Sequence, residues 1–445
     1  YGTLALEDGT GLVSNYSLNS TVINIAQRVL NSSGSKTYDA NTDALAGAIT
    51  LSNLVSGEAL NHSGTATISS ANAGSYTITN LSGISIADGS GGTASNYTLT
   101  GGTHNFTVNR RAVSVSGTRL YDATTNAVAS DLSTHANLVG SETLNLSGTG
   151  TIASKNVGSN KTVSVGTLAL ADGSNGGLAA NYTLTGGTHT FAINRKSVNI
   201  SGTRQYDGTT NIAAADISAI TDTVNSEVLS MSGGLGTTSS ANVAAYNLVN
   251  TSQGTLTLAN GPSGANQGLA SNYTLTGGTQ DYTITQRVLN SSGSKIYDAN
   301  TNALAADITL SNLVSGETLN HSGTATLSSA NAGSYTISNL TGISIADNAG
   351  LASNYTLTGG THNFTVNRRV VGVSGTRLYD ATTNAVASDL STHANLVGSE
   401  TLTLSGTGTI ASKDVGSNKT VSVGTLSLGN VSNGGLAGNY TLSGG

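Results

Sequence analysis

The chain contains no cysteine and no tryptophan, and only one proline, one methionine and three phenylalanines among 445 residues. Without cysteine there can be no disulfide, zinc–thiolate site or thiol nucleophile. The same absence suits a chain that crosses an oxidising periplasm unfolded, where an early disulfide would block export. Charge is scarce as well: Asp, Glu, Lys and Arg make up 9% of residues, against about 25% in a typical soluble protein. The net charge of −6 argues against a nucleic-acid partner, which calls for a strongly basic face. No run approaches the roughly 20 apolar residues that span a bilayer, so no membrane insertion is expected in this segment. No leader sequence opens the chain; Tyr1 falls in the middle of a repeat, and a leader would be expected outside this stretch.

What the chain does have is a punctuation mark. Ser116–Gly117–Thr118–Arg119–Leu120–Tyr121–Asp122 returns around Tyr38–Asp39, Tyr206–Asp207, Tyr297–Asp298 and Tyr379–Asp380. The tyrosines follow one another at intervals of 83, 85, 91 and 82 residues. Self-similarity at a fixed period is the signature of a tandem array. The expected division is a tail of a preceding unit over 1–26, then units over 27–109, 110–194, 195–285, 286–367 and 368–445. The last of these reaches Gly445 where its closing strand should begin. Unit four repeats unit one almost letter for letter, and unit five repeats unit two, so a block of three units has been duplicated. Neighbours that differ in sequence are less prone to exchange strands.

Within a unit the hydrophobic period is two. Ala112–Val113–Ser114–Val115–Ser116 and Asn105–Phe106–Thr107–Val108–Asn109 alternate as half-buried strands do. Further strands are expected over 57–67, 75–81 and 83–87, with Asn, Gly and Ser clusters between them. No amphipathic helix of three turns is present. A Gly-Gly pair between alternating segments favours a two-residue hairpin turn, which at Gly101–Gly102 would set Tyr97 opposite Phe106. About seven short strands in some 85 residues point to an all-β fold, a tandem array of Ig-like β-sandwich modules. A β-solenoid is the alternative, although its coils would repeat at 20–30 residues. Only Asn109–Arg110–Arg111–Ala112 separates Val108 from Val113, and no flexible linker intervenes. Short joins of this kind restrict hinging, so the expected particle is a stiff rod, with five units spanning roughly 200 Å at about 3.3 Å per strand residue.

Tyr206–Asp207–Gly208–Thr209–Thr210, followed by Asn272–Tyr273–Thr274–Leu275, resembles the YDG repeat family of large bacterial surface proteins of the filamentous haemagglutinin type. The resemblance runs along essentially the whole chain, one unit at a time, although the other four units read Tyr-Asp-Ala. It implies a secreted, surface-attached adhesin or two-partner-secretion exoprotein, exported across the outer membrane of a Gram-negative cell. It implies no ligand.

The residues that recur with the period are the candidate site. They are the Tyr-Asp pairs at 38–39, 121–122, 206–207, 297–298 and 379–380, and the tyrosines of the Asn-Tyr motif, Tyr97, Tyr182, Tyr273, Tyr355 and Tyr440. A base lies two residues before each signature tyrosine (Lys36, Arg119, Arg204, Lys295, Arg377), and each unit carries a glutamate, at Glu58, Glu142, Glu227, Glu317 and Glu400. A Lys–Asn isopeptide crosslink is disfavoured because three of the five bases are arginine. The expected arrangement has the base paired with the aspartate or the glutamate and the tyrosine packed with its hydroxyl satisfied, so that each unit is locked internally. Calcium needs six to eight oxygen ligands, and no Asp-x-Asp-x-Asp run supplies them. His104, His189 and His362 share one repeat position where unit three has Gln280, which reads as a polar strand residue rather than a ligand. No Gly-x-Ser-x-Gly elbow appears. Neither catalysis nor a metal or cofactor is expected.

The expected function is that of a repetitive stalk in a cell-surface adhesin, holding a distal binding region away from the cell. Two others are a fibre or biofilm-matrix subunit pairing with like chains through strand edges, and an array binding host or matrix glycans through junction pairs such as Arg110–Arg111 with avidity.

Overall fold

The computed structural model describes residues 3–19, 22–248, 253–431 and 435–443. It is an all-β tandem array in which every helical segment among the described residues is a three-residue 3-10 turn. The chain forms two compact units, Tyr1–Lys196 and Ser197–Gly445.

In the first unit, the block after the N-terminal tail contains β1 Arg28–Val29, β2 Asn31–Thr37, β3 Asp43–Leu45, β4 Ile49–Ser52, β5 Asn61–Ile68, β6 Gly74–Asn80, β7 Ile84–Ala87, β8 Tyr97–Thr98 and β9 His104–Asn109. The main sheet runs β3-β5-β6-β9-β2-β4, and β7 also pairs with β5. The first long strand and the last lie side by side and parallel, from Ser32 opposite His104 to Thr37 opposite Asn109. Each block therefore closes on itself instead of stacking coils. β5 changes partner midway: Asn61–Gly64 pairs with β7, and Thr65–Thr67 with β3. The alternating residues Ala66, Ile68, Ile78, Phe106 and Val108 point into the core, while the intervening Ser, Thr and Asn face outward, as the period of two demands.

Gly34 is the contact that lets the block close. A Cβ there would stand 2.8 Å from the Phe106 ring and 2.3 Å from the Ala48 carbonyl oxygen. The phenylalanine ring packs against the bare backbone of the neighbouring parallel strand. The same parallel pairing recurs between Ser114–Leu120 and Thr190–Asn194 in the first unit. In the second unit it recurs between Asn199–Gln205 and Gln280–Thr285, and between Asn290–Ile296 and His362–Asn367.

One local expectation is corrected. Tyr97 does not face Phe106 across a two-residue hairpin; Phe106 faces Tyr76 in β6, and Tyr97 pairs in parallel with Arg28. The first strand inserts between the arms of the turn, because Leu30 N–H donates to the Thr98 carbonyl (2.8 Å) and Ser32 N–H to that of Thr103 (3.0 Å). The arms are bridged by a third strand and never pair directly.

Candidate functional site

The signature tyrosine ends its strand and crosses into the next block. In the first unit Tyr38 is buried, with its N–H held by the Asn109 carbonyl at 2.9 Å. Its hydroxyl donates to Glu142 Oε1 at 2.7 Å, and Tyr182 donates to Glu142 Oε2 at 2.6 Å. The two rings meet edge to face, 5.3 Å between centroids. One glutamate thus joins the Tyr-Asp tyrosine of one block to the Asn-Tyr tyrosine of the following block. A tight turn aims it: Glu142 N–H donates to the Val139 carbonyl, and Val139 N–H donates to the Tyr182 hydroxyl at 3.0 Å.

Two further bonds close the joint. The buried Asn181, which precedes Tyr182, accepts from Ala73 N–H at 2.8 Å and donates to Asn72 Oδ1 at 3.0 Å, reaching back to the turn between β5 and β6. Arg111 donates to the carbonyls of Tyr38 (3.3 Å) and Asn137 (2.7 Å), one on each side of the junction. The junction arginine is therefore occupied with backbone oxygens.

The second unit contains the same joint twice. Tyr206 and Tyr355 share Glu317, with ring centroids 5.4 Å apart, and Asn354 holds Val243 N–H and Asn242. Tyr297 and Tyr440 share Glu400, with ring centroids 5.4 Å apart, and Asn439 holds Ala332 N–H and Asn331. Arg287 and Arg369 repeat the part of Arg111. The cores merge across these joints. One cluster contains Tyr206, Ile212 and Tyr282 with Leu289, Leu319 and Tyr355; another joins Tyr297, Ala303 and Phe364 to Leu402 and Tyr440. Burial first, then the carboxylate facing the hydroxyl, pushes Tyr38, Tyr182, Tyr206 and Tyr355 up to about 12. Tyr297 and Tyr440 are raised for the same reasons.

The remaining signature residues sit as follows. Asp39, Asp122, Asp207, Asp298 and Asp380 each pair with the base three residues before them, at 2.8 Å for Lys36–Asp39 and 2.9 Å for Arg119–Asp122. They also cap the turn that follows, as where Thr124 N–H donates to Asp122 at 2.9 Å. Half-exposed pairs of this kind contribute about 0–1 kcal/mol. The residue after each aspartate is left-handed: Ala40, Ala123, Ala299 and Ala381 have φ of 61–63° and Gly208 has 78°. Glycine suits that conformation, and at 208 a Cβ would also lie 2.9 Å from Val314 Cγ1. Tyr97 and Tyr273 bond the glutamates of their own blocks, Glu58 and Glu227. Tyr121 is buried, and Tyr379 is 59% exposed.

The base therefore selects the aspartate, and the glutamate, read from the sequence as an alternative partner for the base, belongs to the tyrosines. The lock joins neighbouring blocks within each compact unit. Sequence reasoning missed the part played by Asn181, Asn354 and Asn439, although an asparagine before every Asn-Tyr tyrosine was the available signal. His104 and His362 are buried and lock the turn: Nε2 donates to the carbonyl of Leu99 or Leu357, both at 2.8 Å, and Nδ1 faces Ser32 or Ser291. Gln280 makes the equivalent bond to Leu275. Among the described residues no three His, Asp or Glu side chains converge as a metal ion would require.

Fold and joints define a protein of repeated β-rich modules clasped end to end within each compact unit. A family model described as YDG domain matches residues 24–105, 104–190, 282–362 and 365–445, and the chain belongs to that family. The block between the second and third matches is the one with the literal Tyr206–Asp207–Gly208, and it has the same parallel closing pair. No curated protein matches the chain. Among solved structures, Drosophila N-cadherin EC1-4 is 6% identical with a TM-score of 0.12, over 74% of this chain and 93% of that one. The Bacillus anthracis TIE protein is 9% identical with a TM-score of 0.14, over 73% and 63%. Scores this low carry no argument.

Proposed function

We propose that the chain is a non-enzymatic, repetitive stalk segment of a large secreted bacterial surface adhesin, carried outside the outer membrane of a Gram-negative cell. The observation that carries this reading is the shared-glutamate joint, repeated with the same residue types wherever two blocks meet inside a compact unit. A protein whose task is chemistry has no need of the same joint three times. A protein whose task is to keep successive modules in register does. Hydrogen bonds to a charged acceptor contribute about 1.5–3 kcal/mol each, and an edge-to-face aromatic pair about 0.5–1.5 kcal/mol. Each joint thus adds a stabilising contact that an unclasped string of domains lacks. The working partners of a block are its neighbours in the chain.

Small-angle scattering of the isolated chain tests the reading. The expected maximum dimension is near the roughly 200 Å of five modules laid end to end at about 3.3 Å per strand residue. A compact particle overturns it, and saturable glycan binding by this segment alone replaces it with a lectin-like role.

A further inference from the structure

The joints described above share their tyrosines, glutamate, asparagine and arginine, yet they differ in two places. The first is the residue after Tyr-Asp, which is Ala40 or Ala299 in two joints and Gly208 in the other. The second is the pair between the valine and the shared glutamate. Val139–Gly140–Ser141–Glu142 and Val397–Gly398–Ser399–Glu400 put glycine first, whereas Val314–Ser315–Gly316–Glu317 puts it second. In each, the glutamate N–H donates to the valine carbonyl at 3.0 or 3.1 Å, which closes a four-residue turn. Gly140 and Gly398 have φ of 54° and 50°, and Gly316 has φ of 85°. Positive φ at the first central residue belongs to a type II′ turn and at the second to a type II turn, and these two are mirror images.

The two differences go together. The Gly-Ser turns follow a block with alanine after Tyr-Asp, and the Ser-Gly turn of the fourth block follows the block with Gly208. Backbone conformation alone does not explain that glycine, because four alanines hold the same left-handed position at φ of 61–63°. The successor block does explain it. A Cβ at Gly208 would lie 2.9 Å from Val314 Cγ1. Val314 has little freedom to move aside: it packs against the cluster that holds Tyr206, Leu319 and Tyr355, and its N–H donates to the Tyr355 hydroxyl at 3.0 Å. Its β-branched side chain is also stiff about χ1. At the Gly-Ser joints the preceding block carries a methyl group at the same place.

We propose that the residue after Tyr-Asp and the hand of the turn before the shared glutamate form a matched pair by which a block recognises its successor. The tyrosines, glutamate and asparagine supply the attachment common to every such joint, and this pair supplies the discrimination. The filter is one-sided. Glycine presents no side chain and fits before either turn, whereas alanine fits only before the Gly-Ser turn, where the valine stands clear of its methyl group. A steric clash against the wrong partner is a common source of specificity. The surface concerned is the end of one block against the start of the next, and the inference stands whether or not the chain serves as a stalk.

Hydrogen exchange of the intact chain tests this at two amides that cross the joints, Val243 N–H bonded to Asn354 and Ala332 N–H bonded to Asn439. Gly208→Ala is expected to speed exchange at Val243 roughly tenfold, an effect within the range that overpacking produces, and to leave Ala332 unchanged. Adding Ser315→Gly and Gly316→Ser, which reverses the turn, is expected to restore slow exchange. The same reversal with Gly208 retained is expected to leave Val243 slow. In the other joint, Gly398→Ser with Ser399→Gly is expected to speed Ala332, and Ala299→Gly to restore it. A left-handed alanine that is merely unfavourable in itself would not respond to the turn, so the restoration is the decisive readout. Parent-like exchange in Gly208→Ala overturns the proposal, as does a reversed turn that fails to restore protection or that removes it while Gly208 is in place.

Discussion

At the scale of the residue, the carboxylate of Glu142 stands between two tyrosine hydroxyls, each of which donates to one of its oxygens. An ionised Tyr38 or Tyr182 would lose its donor proton and set a second negative charge against the glutamate. The joint is therefore an alkaline-sensitive lock. An unfolded tyrosine titrates near about 10, while Tyr38, Tyr182, Tyr206 and Tyr355 are pushed up to about 12. Between those values the unfolded chain has released protons that the folded chain still holds, so stability falls as pH rises. The contribution is complete below about pH 10 and lost as pH climbs through 12. Titration followed by phenolate absorbance should show the clasp tyrosines ionising only as pH approaches 12, together with the fall in stability. Clasp tyrosines that ionise near pH 10 while the chain stays folded would sink this account.

At the scale of the element, the turn between β8 and β9 separates what could be read in the sequence from what could not. The period of two placed β5, β6, β7 and β9 to within a few residues, because burial on one face of a strand is a local property. Pairing is not local. The Gly101–Gly102 pair signalled a turn correctly, yet nothing near it announces that Leu30 and Ser32, some 70 residues earlier, thread between its arms. The same limit hid the joint: tyrosine, glutamate and asparagine were all visible as recurring letters, but Tyr38 and Glu142 are 104 positions apart in different repeats. The histidine at the start of β9 reads from the sequence as a polar, replaceable strand residue, and Gln280 shows what replacement requires, a side-chain N–H aimed at the equivalent carbonyl. His104→Gln should therefore cost little, since it keeps the donor to Leu99. His104→Ala should cost about 1–3 kcal/mol, the penalty of a buried polar group left unpaired. Hydrogen exchange of the first block compares the two variants, and equal loss of protection in both would refute the role given to the N–H.

At the scale of the whole molecule, blocks that contribute residues to one core should lose stability together, as arrays with strong nearest-neighbour terms do. Glu317→Gln tests this in the second compact unit. It weakens the bonds to Tyr206 on one side and Tyr355 on the other, and a loss of about 1.5–3 kcal/mol is expected for a charged acceptor. Protection should drop at Val243 N–H and at Val314 N–H, amides on opposite sides of the joint. A drop confined to the block that contains Glu317 would mean that the joint couples nothing. The joint also has a consequence for inheritance. Because in each of the three joints the tyrosine comes from one block and the glutamate, second tyrosine and asparagine from its successor, a copied block carries the parts to meet such a neighbour without a new fit having to evolve. Misaligned recombination between copies can then lengthen or shorten the gene by whole repeats and leave the joints it creates with all their parts. The near-identity of residues 27–109 with 286–367 is the trace such an event leaves, and the number of modules becomes a trait that selection can adjust one at a time.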